Sequence, residues 1–313
     1  MTYKFQQLKS FLFLVSFVVI FVFAVKAQNR TMAVTFDDLP MTGRAESLAE
    51  AKEVNRDLLA KLRAAKITAT GFVNEGKLFY LNEIDERTDL LDQWLEQGHD
   101  LGNHTFSHIP INSSSVEDYK IDLIKGETVT RKLLEKHGKT LRYFRHTQLR
   151  TGPTDEYRRK LSELLKQRQY SVAPVTIDSN EYLFAVRYSE AKNRSDREMQ
   201  EKIVAAYLVY MEQVTKHFEN ISREFLGYEV PQVLLLHANA LNADHFDRLA
   251  TVFRKRGYRF VTLDTALEDK AYGLPEVTSR RGLSWIHRWM LAKGLEMKEE
   301  PSEPAWIRTS LYR

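Results

Sequence analysis

The chain has 313 residues, of which 43% are hydrophobic and 28% charged, an ordinary globular composition with apolar mass for one large α/β domain. Its formal charge of +4 falls to +1 without Lys4, Lys9 and Lys26, so charge gives no support to nucleic-acid binding. The absence of cysteine excludes disulfides, thiolate catalysis and cysteine-ligated metal, leaving His and carboxylate as the metal ligands open to this chain.

The chain begins with a targeting pattern. Lys4 and Lys9 precede an uncharged apolar run from Phe11 to Val25, followed by Val25-Lys26-Ala27. This reads as a signal peptide over residues 1–27, with cleavage after Ala27 and a mature protein that is periplasmic or extracellular. An uncleaved anchor is the alternative, although the run is short for a span of about 20 residues. Membrane contact is then expected only through this segment.

Beyond it, short β-rich runs alternate with amphipathic stretches, the pattern of parallel strands joined by helices. Seven strands are expected, approximately at Met32 to Phe36, Ile67 to Val73, His99 to Asn103, Leu141 to Arg145, Tyr170 to Ile177, Gln232 to Leu236 and Arg259 to Leu263. A helix from Glu46 to Lys66 sets Val54, Leu58 and Leu62 on one face. Another from Arg87 to Gln97 stops at Gly98, a residue suited to a left-handed C-terminal cap. The longest helical stretch runs from about Ser195 to Leu226. The expected organisation is a catalytic domain over residues 28–270 and a C-terminal extension over residues 271–313. In that extension Trp285 and Trp289, four apart on a helix, pack against the core more readily than they form a sugar platform.

Polar residues follow the strands: Asp37 and Asp38, Asn74 and Glu75, His104 and His108, Arg145, Asp178, His237 and Asp264. In a barrel the carboxyl ends meet at one mouth, whereas an open sheet spreads them along an edge. The fold expected is therefore α/β, a distorted, incomplete (β/α) barrel of about seven parallel strands.

Thr35-Phe36-Asp37-Asp38 puts two carboxylates side by side at a strand end, where they can take different roles or simply form a turn. Asn103-His104-Thr105-Phe106-Ser107-His108 places two imidazoles four residues apart, so on one helical turn both would face one metal; two surface histidines on a loop is the alternative. Two neutral histidines and a carboxylate suit one divalent ion, Zn²⁺ first, with Co²⁺, Ni²⁺ or Fe²⁺ also compatible, and they leave a position open for water or substrate. His237 ends the apolar run Leu234-Leu235-Leu236, where a catalytic acid is desolvated and fixed, or where a core histidine is simply satisfied. Arg145 reads either as a guanidinium held against a carboxylate or as a surface charge, and Asp178 as its buried partner or as a turn.

The order of these motifs resembles the polysaccharide deacetylases with the nodulation-protein homology domain, carbohydrate esterase family four, over about Thr31 to Leu267. The resemblance implies that Asp38, His104 and His108 bind the metal, Asp37 is the general base and His237 the general acid. It further implies that Arg145 orients Asp37, that Asp178, with Glu181 as a further candidate, belongs to a polar network around Arg145 and His237, and that Leu235 helps form the acetyl pocket. The chain departs from the family at Thr147, where proline is expected, at Gln148-Leu149, where an aromatic residue is usual, and at Ala238, often aspartate. These departures bear on the backbone donor for the oxyanion and on the sugar groove.

The function implied is metal-dependent removal of N-acetyl groups from amino sugars of a chitin- or peptidoglycan-like polysaccharide or oligosaccharide. The alternatives are an O-acetyl esterase on an acetylated glycan, a non-haem iron oxygenase using the same ligand types, and a catalytically silent carbohydrate-binding protein.

Overall fold

A computed structural model describes residues 30–43 and 47–308. The signal-peptide expectation for residues 1–27 lies outside the described residues. The strands are β1 (Thr31–Leu39), β2 (Thr70–Val73), β3 (Asp100–Asn103), β4 (Tyr143–Phe144), β5 (Ser171–Val172), β6 (Gln232–His237) and β7 (Arg259–Val261). Between and after them come α1 (Leu48–Ala64), α2 (Ile84–Glu96), α3 (Val116–Lys125), α4 (Thr128–Lys136), α5 (Asp155–Gln167), α6 (Glu181–Asn193), α7 (Arg197–Leu226), α8 (Ala240–Lys255), α9 (Leu263–Leu267), α10 (Trp285–Ala292) and α11 (Ala305–Arg308).

Every strand pairing is parallel, and the order is β5-β4-β3-β2-β1-β6, with β7 paired to the start of β1. Ile177, beyond β5, forms an isolated bridge with Leu234 of β6, so the sheet curls into a distorted, incomplete (β/α) barrel. β1 is central, and Met32 to Asp37 are buried on both faces, as expected of a parallel strand covered by helices. All seven expected strands are present, but β4 and β5 are much shorter than their apolar runs. Pro174, which has no N–H to donate, interrupts the run after β5, and pairing resumes at Thr176 and Ile177 with β6.

The helices follow their local signals. Ser47 caps α1 by accepting from the Glu50 amide, and Val54, Leu58 and Leu62 are buried as their spacing predicts. Gly227, at φ +82°, ends α7 in the left-handed region that costs glycine nothing. α6 escapes the periodicity test. It packs against both α7 and α8, so Leu183, Phe184, Ala185, Tyr188 and Ala191 are buried around much of its circumference, and no single apolar stripe marks it. Trp285 and Trp289 of α10 are buried, in line with packing against the core.

Two expected positions at the mouth are corrected. Asp264 lies at the opposite end of the barrel, where it accepts from Arg142 and the Tyr143 hydroxyl near Asp100 at the start of β3. The reason is the register: β7 pairs only with Thr31 to Ala33 of β1, so its end is level with the beginnings of the other strands. Glu75 turns away to cap α4, accepting from the Val129 and Thr130 amides at 3.0 and 2.7 Å.

Candidate active site

At the carboxyl end of the barrel, a cavity of about 490 Å³ is lined by Asp37, Asp38, His104, His108, Asp178, Leu235 and His237, with Gln148, Leu149, Arg150, Asn180 and Tyr182 along its walls. Asp37 and His237 are register neighbours on the adjacent parallel strands β1 and β6. Asp38 adopts φ +71°, so the chain turns immediately after Asp37 and the two carboxylates take different directions.

The His104–His108 segment is not the helical turn its spacing suggests. Thr105 and His108 have φ of +65° and +57°, and the Asn103 side-chain oxygen accepts from the Thr105 amide at 2.7 Å. These turns still bring the two rings to 5.0 Å between centroids. Asp122 secures the same loop from the Ser107 amide and hydroxyl, while Asn74 donates to the His104 carbonyl at 2.6 Å.

Asp38, His104 and His108 each present a ligand atom within 4.8 Å of the others. Both Nε2 atoms lie 3.8 Å from Asp38 Oδ1, a buried oxygen with no hydrogen-bond partner among the described residues. His104 Nδ1 is 2.9 Å from the Arg145 carbonyl, which fixes it as the N–H tautomer and leaves the Nε2 lone pair free. Burial pushes both histidines down to about 4, so they are neutral at physiological pH. Burial also acts to raise Asp38, but Lys77 and the histidines around it outweigh this and hold it well below the usual carboxylate range. An anion, two neutral imidazoles and an orphaned carboxylate oxygen fit a divalent cation.

Asp37 is nearly fully buried, and desolvation raises its pKa against the opposing charge of Arg145. Arg145 lies 3.7 Å from Asp37 Oδ1, donates to Thr35 Oγ1 at 2.9 Å and stacks over Phe72 at 4.4 Å. Arg145 is thus buried beside Asp37 and is not a surface charge.

His237 Nδ1 donates to Glu181 Oε2 at 2.9 Å. Glu181 is itself buried, and its other oxygen accepts from Asn239 and Asn242, each at 2.6 Å. Burial alone would lower His237, but the Glu181 bond and the Asp37 and Asp38 charges push it up to about 9. Asp178 lines the same cavity and is pushed up to about 7, chiefly by burial; it accepts from the Ser179 amide at 2.8 Å, while its charge is felt by Arg145 and His237. The residue in direct contact with His237 is thus Glu181.

Lys77 was not legible as a site residue. Its Nζ donates to the Asp38 and Met41 carbonyls at 3.0 and 3.1 Å and lies 3.8 Å from Asp38 Oδ1. A lysine after a strand carries no local signal of such a role. Gln148 and Leu149 signal theirs by departing from the expected motif, and both are left-handed, at φ +55° and +51°.

Residues 24–173 match the model of the polysaccharide deacetylase family, a span that includes Asp37, Asp38, His104, His108 and Arg145. No curated protein matches the chain. Among solved structures, the Bc1960 peptidoglycan N-acetylglucosamine deacetylase, in complex with a naphthyl N-hydroxybenzamide, superposes with a TM-score of 0.50 at 18% identity, over 82% of this chain and 92% of that one. A mutant of BA3943, described as a CE4 family pseudoenzyme, gives 0.50 at 13% identity, over 77% and 68%. The polysaccharide deacetylase Bc1974 from Bacillus cereus gives 0.49 at 18%, over 75% and 92%. At these identities the likeness to the two structures at 0.50 is one of fold.

Proposed function

We propose that the chain is a polysaccharide deacetylase, on the match of that family's model over residues 24–173, and that it hydrolyses N-acetyl groups on amino sugars of a polysaccharide or oligosaccharide. The observation that carries this reading is an acceptor and a donor side by side in the cavity that holds the candidate ligand cluster. Asp37 is a buried carboxylate near the end of β1, and His237, held charged by Glu181, is its register neighbour on the adjacent strand β6.

Asp38, His104 and His108 would hold one divalent ion, Zn²⁺ first by ligand type with Co²⁺ or Ni²⁺ also suited. Such an ion supplies Lewis acidity toward the acyl oxygen and acidifies water toward pKa ~7. Asp37 accepts the proton of the attacking water, and burial brings its basicity closer to the working pH. Arg145 orients that carboxylate and keeps it ionised between turnovers. His237 donates a proton to the amine nitrogen as the carbon–nitrogen bond breaks, giving acetate and a free amino sugar; Glu181 keeps the imidazolium charged and aimed. Leu235, two residues before His237 on β6, offers apolar surface to the acetyl methyl group. The basic and apolar leader of residues 1–27 supports an extracytoplasmic site for this chemistry.

The test is acetate release, with product mass, from chitooligosaccharides, peptidoglycan and acetylxylan by metal-reconstituted protein. Release from an amide substrate that chelation abolishes is expected. Release from acetylxylan alone would replace the reading with O-deacetylation, and glycan binding without acetate would leave a carbohydrate-binding protein.

A further inference from the structure

The segment beyond β7 returns to the cleft and braces two of its walls. One wall is the loop after β4, residues 146–151; the other is the stretch 175–180 leading from β5 to α6. Arg288, fully buried on α10, donates to the Leu149 carbonyl, to Thr151 Oγ1 at 3.1 Å and to the Val277 carbonyl at 3.2 Å, and its guanidinium lies 4.9 Å from the Trp285 ring. Trp285 stacks on His146 with an interplanar angle of 23°, and its amide donates to the Val175 carbonyl at 2.7 Å. Ser284 Oγ donates to the Thr176 carbonyl at 2.7 Å, and Glu303 accepts from Asn180 at 3.0 Å.

Gly282 passes so close to the Gln148 carbonyl that a Cβ on it would overlap that oxygen, so the backbone approach requires glycine. The loop it supports is strained: Gln148 and Leu149 are successive non-glycine residues in the left-handed region, and both line the cavity. Such a conformation persists only where the surroundings over-determine it. Thr147, at the place where a proline would stiffen the chain, is held instead by side-chain bonds to the Ile109 carbonyl and Tyr119.

We propose that Gly282 and Arg288 are positioning residues for the deacetylation, through a C-terminal brace that fixes Gln148, Leu149 and Arg150 as a rigid wall of the cleft. This rests on the deacetylase reading of the same site. The brace lies outside the span matched by the family model and makes residues 276–303 part of the working site, where the sequence suggested only an appended extension.

The experiment compares wild type with Arg288→Met and Gly282→Ala on metal content, amide hydrogen exchange, and kcat and KM for a chitooligosaccharide. Expected are wild-type metal content, lost exchange protection concentrated in 146–151, and a kcat lower by ~10- to 100-fold, the scale of a roughly 1 Å misplacement in an active site. Adding Gln148→Gly to Arg288→Met should recover part of kcat, since glycine takes the left-handed conformation without support. A general loss of stability would not respond to that change. Should Arg288→Met fail to fold, Gly282→Ala and Ser284→Ala give the same readings. Unchanged protection over 146–151 in the folded variants, or lost protection with full kcat, overturns the proposal. If wild type releases no acetate from any substrate, the deacetylase reading fails while exchange still decides whether the brace exists.

Discussion

Glu181, the first residue of α6, accepts a 2.9 Å hydrogen bond from His237 at the end of β6, joining a helix start to a strand end 56 residues away in sequence. This contact sets the charge of the proposed acid. With Glu181→Gln the imidazole loses its anionic partner, and the alkaline limb of the pH–rate profile, expected near 9, should move down by at least one unit. A limb that stays in place would remove Glu181 from this role.

The same pair predicts a pH dependence of stability. The folded pKa of His237, about 9, lies above its ordinary 6.5, so the pair's contribution is fully present below about pH 6.5 and is lost as pH rises through 9. The thermal midpoint of wild type should exceed that of Glu181→Gln most at pH 6, and the gap should close by pH 10. A gap that widens with pH would reverse the assignment.

Asp37→Asn should retain metal and lose ~10²- to 10⁴-fold in rate, because an amide cannot accept water's proton. Asp38→Asn should instead weaken metal binding, because it removes the anion from the ligand cluster. Metal content and turnover are measured on the same preparations. Loss of metal from the first variant and its retention by the second would exchange the roles.

Arg145→Ala should keep the metal ligands while removing the positive charge 3.7 Å from Asp37. Burial already raises Asp37 and Arg145 opposes that rise, so the acid limb of the pH–rate profile should move to higher pH. A lower thermal midpoint is also expected, since a buried carboxylate is left uncompensated. An acid limb that shifts downward would contradict the arrangement.

Leu235→Ala enlarges the cavity beside His237 and should relax acyl selectivity, with N-propionyl substrates gaining on N-acetyl ones. One methylene in an apolar pocket is worth ~1 to 3 kcal/mol, or about 10- to 200-fold in the ratio of kcat/KM. An unchanged ratio would place the acyl group elsewhere.

The sequence by itself determined the parallel strands, the long helix to about Leu226 and most of the residue types that meet at the mouth, because alternation, apolar runs and the Asp-Asp and His-x-x-x-His spacings are local signals. It grouped Asp38, His104 and His108, which the fold does bring within 4.8 Å of one another, but a loop with left-handed residues and not a helical turn joins the two rings. Tertiary structure alone decided the rest. Whether Glu181 or Asp178 touches His237 depends on how α6 is seated between α7 and α8, and the level of Asp264 depends on the register of β7 against β1. The approach of Lys77 to Asp38, and of Arg288 to Leu149 across 139 residues, likewise follows from chain packing. No periodicity encodes such contacts, because the energy that fixes them is the pairing of buried polar groups from distant elements, and that exists only once the core has closed.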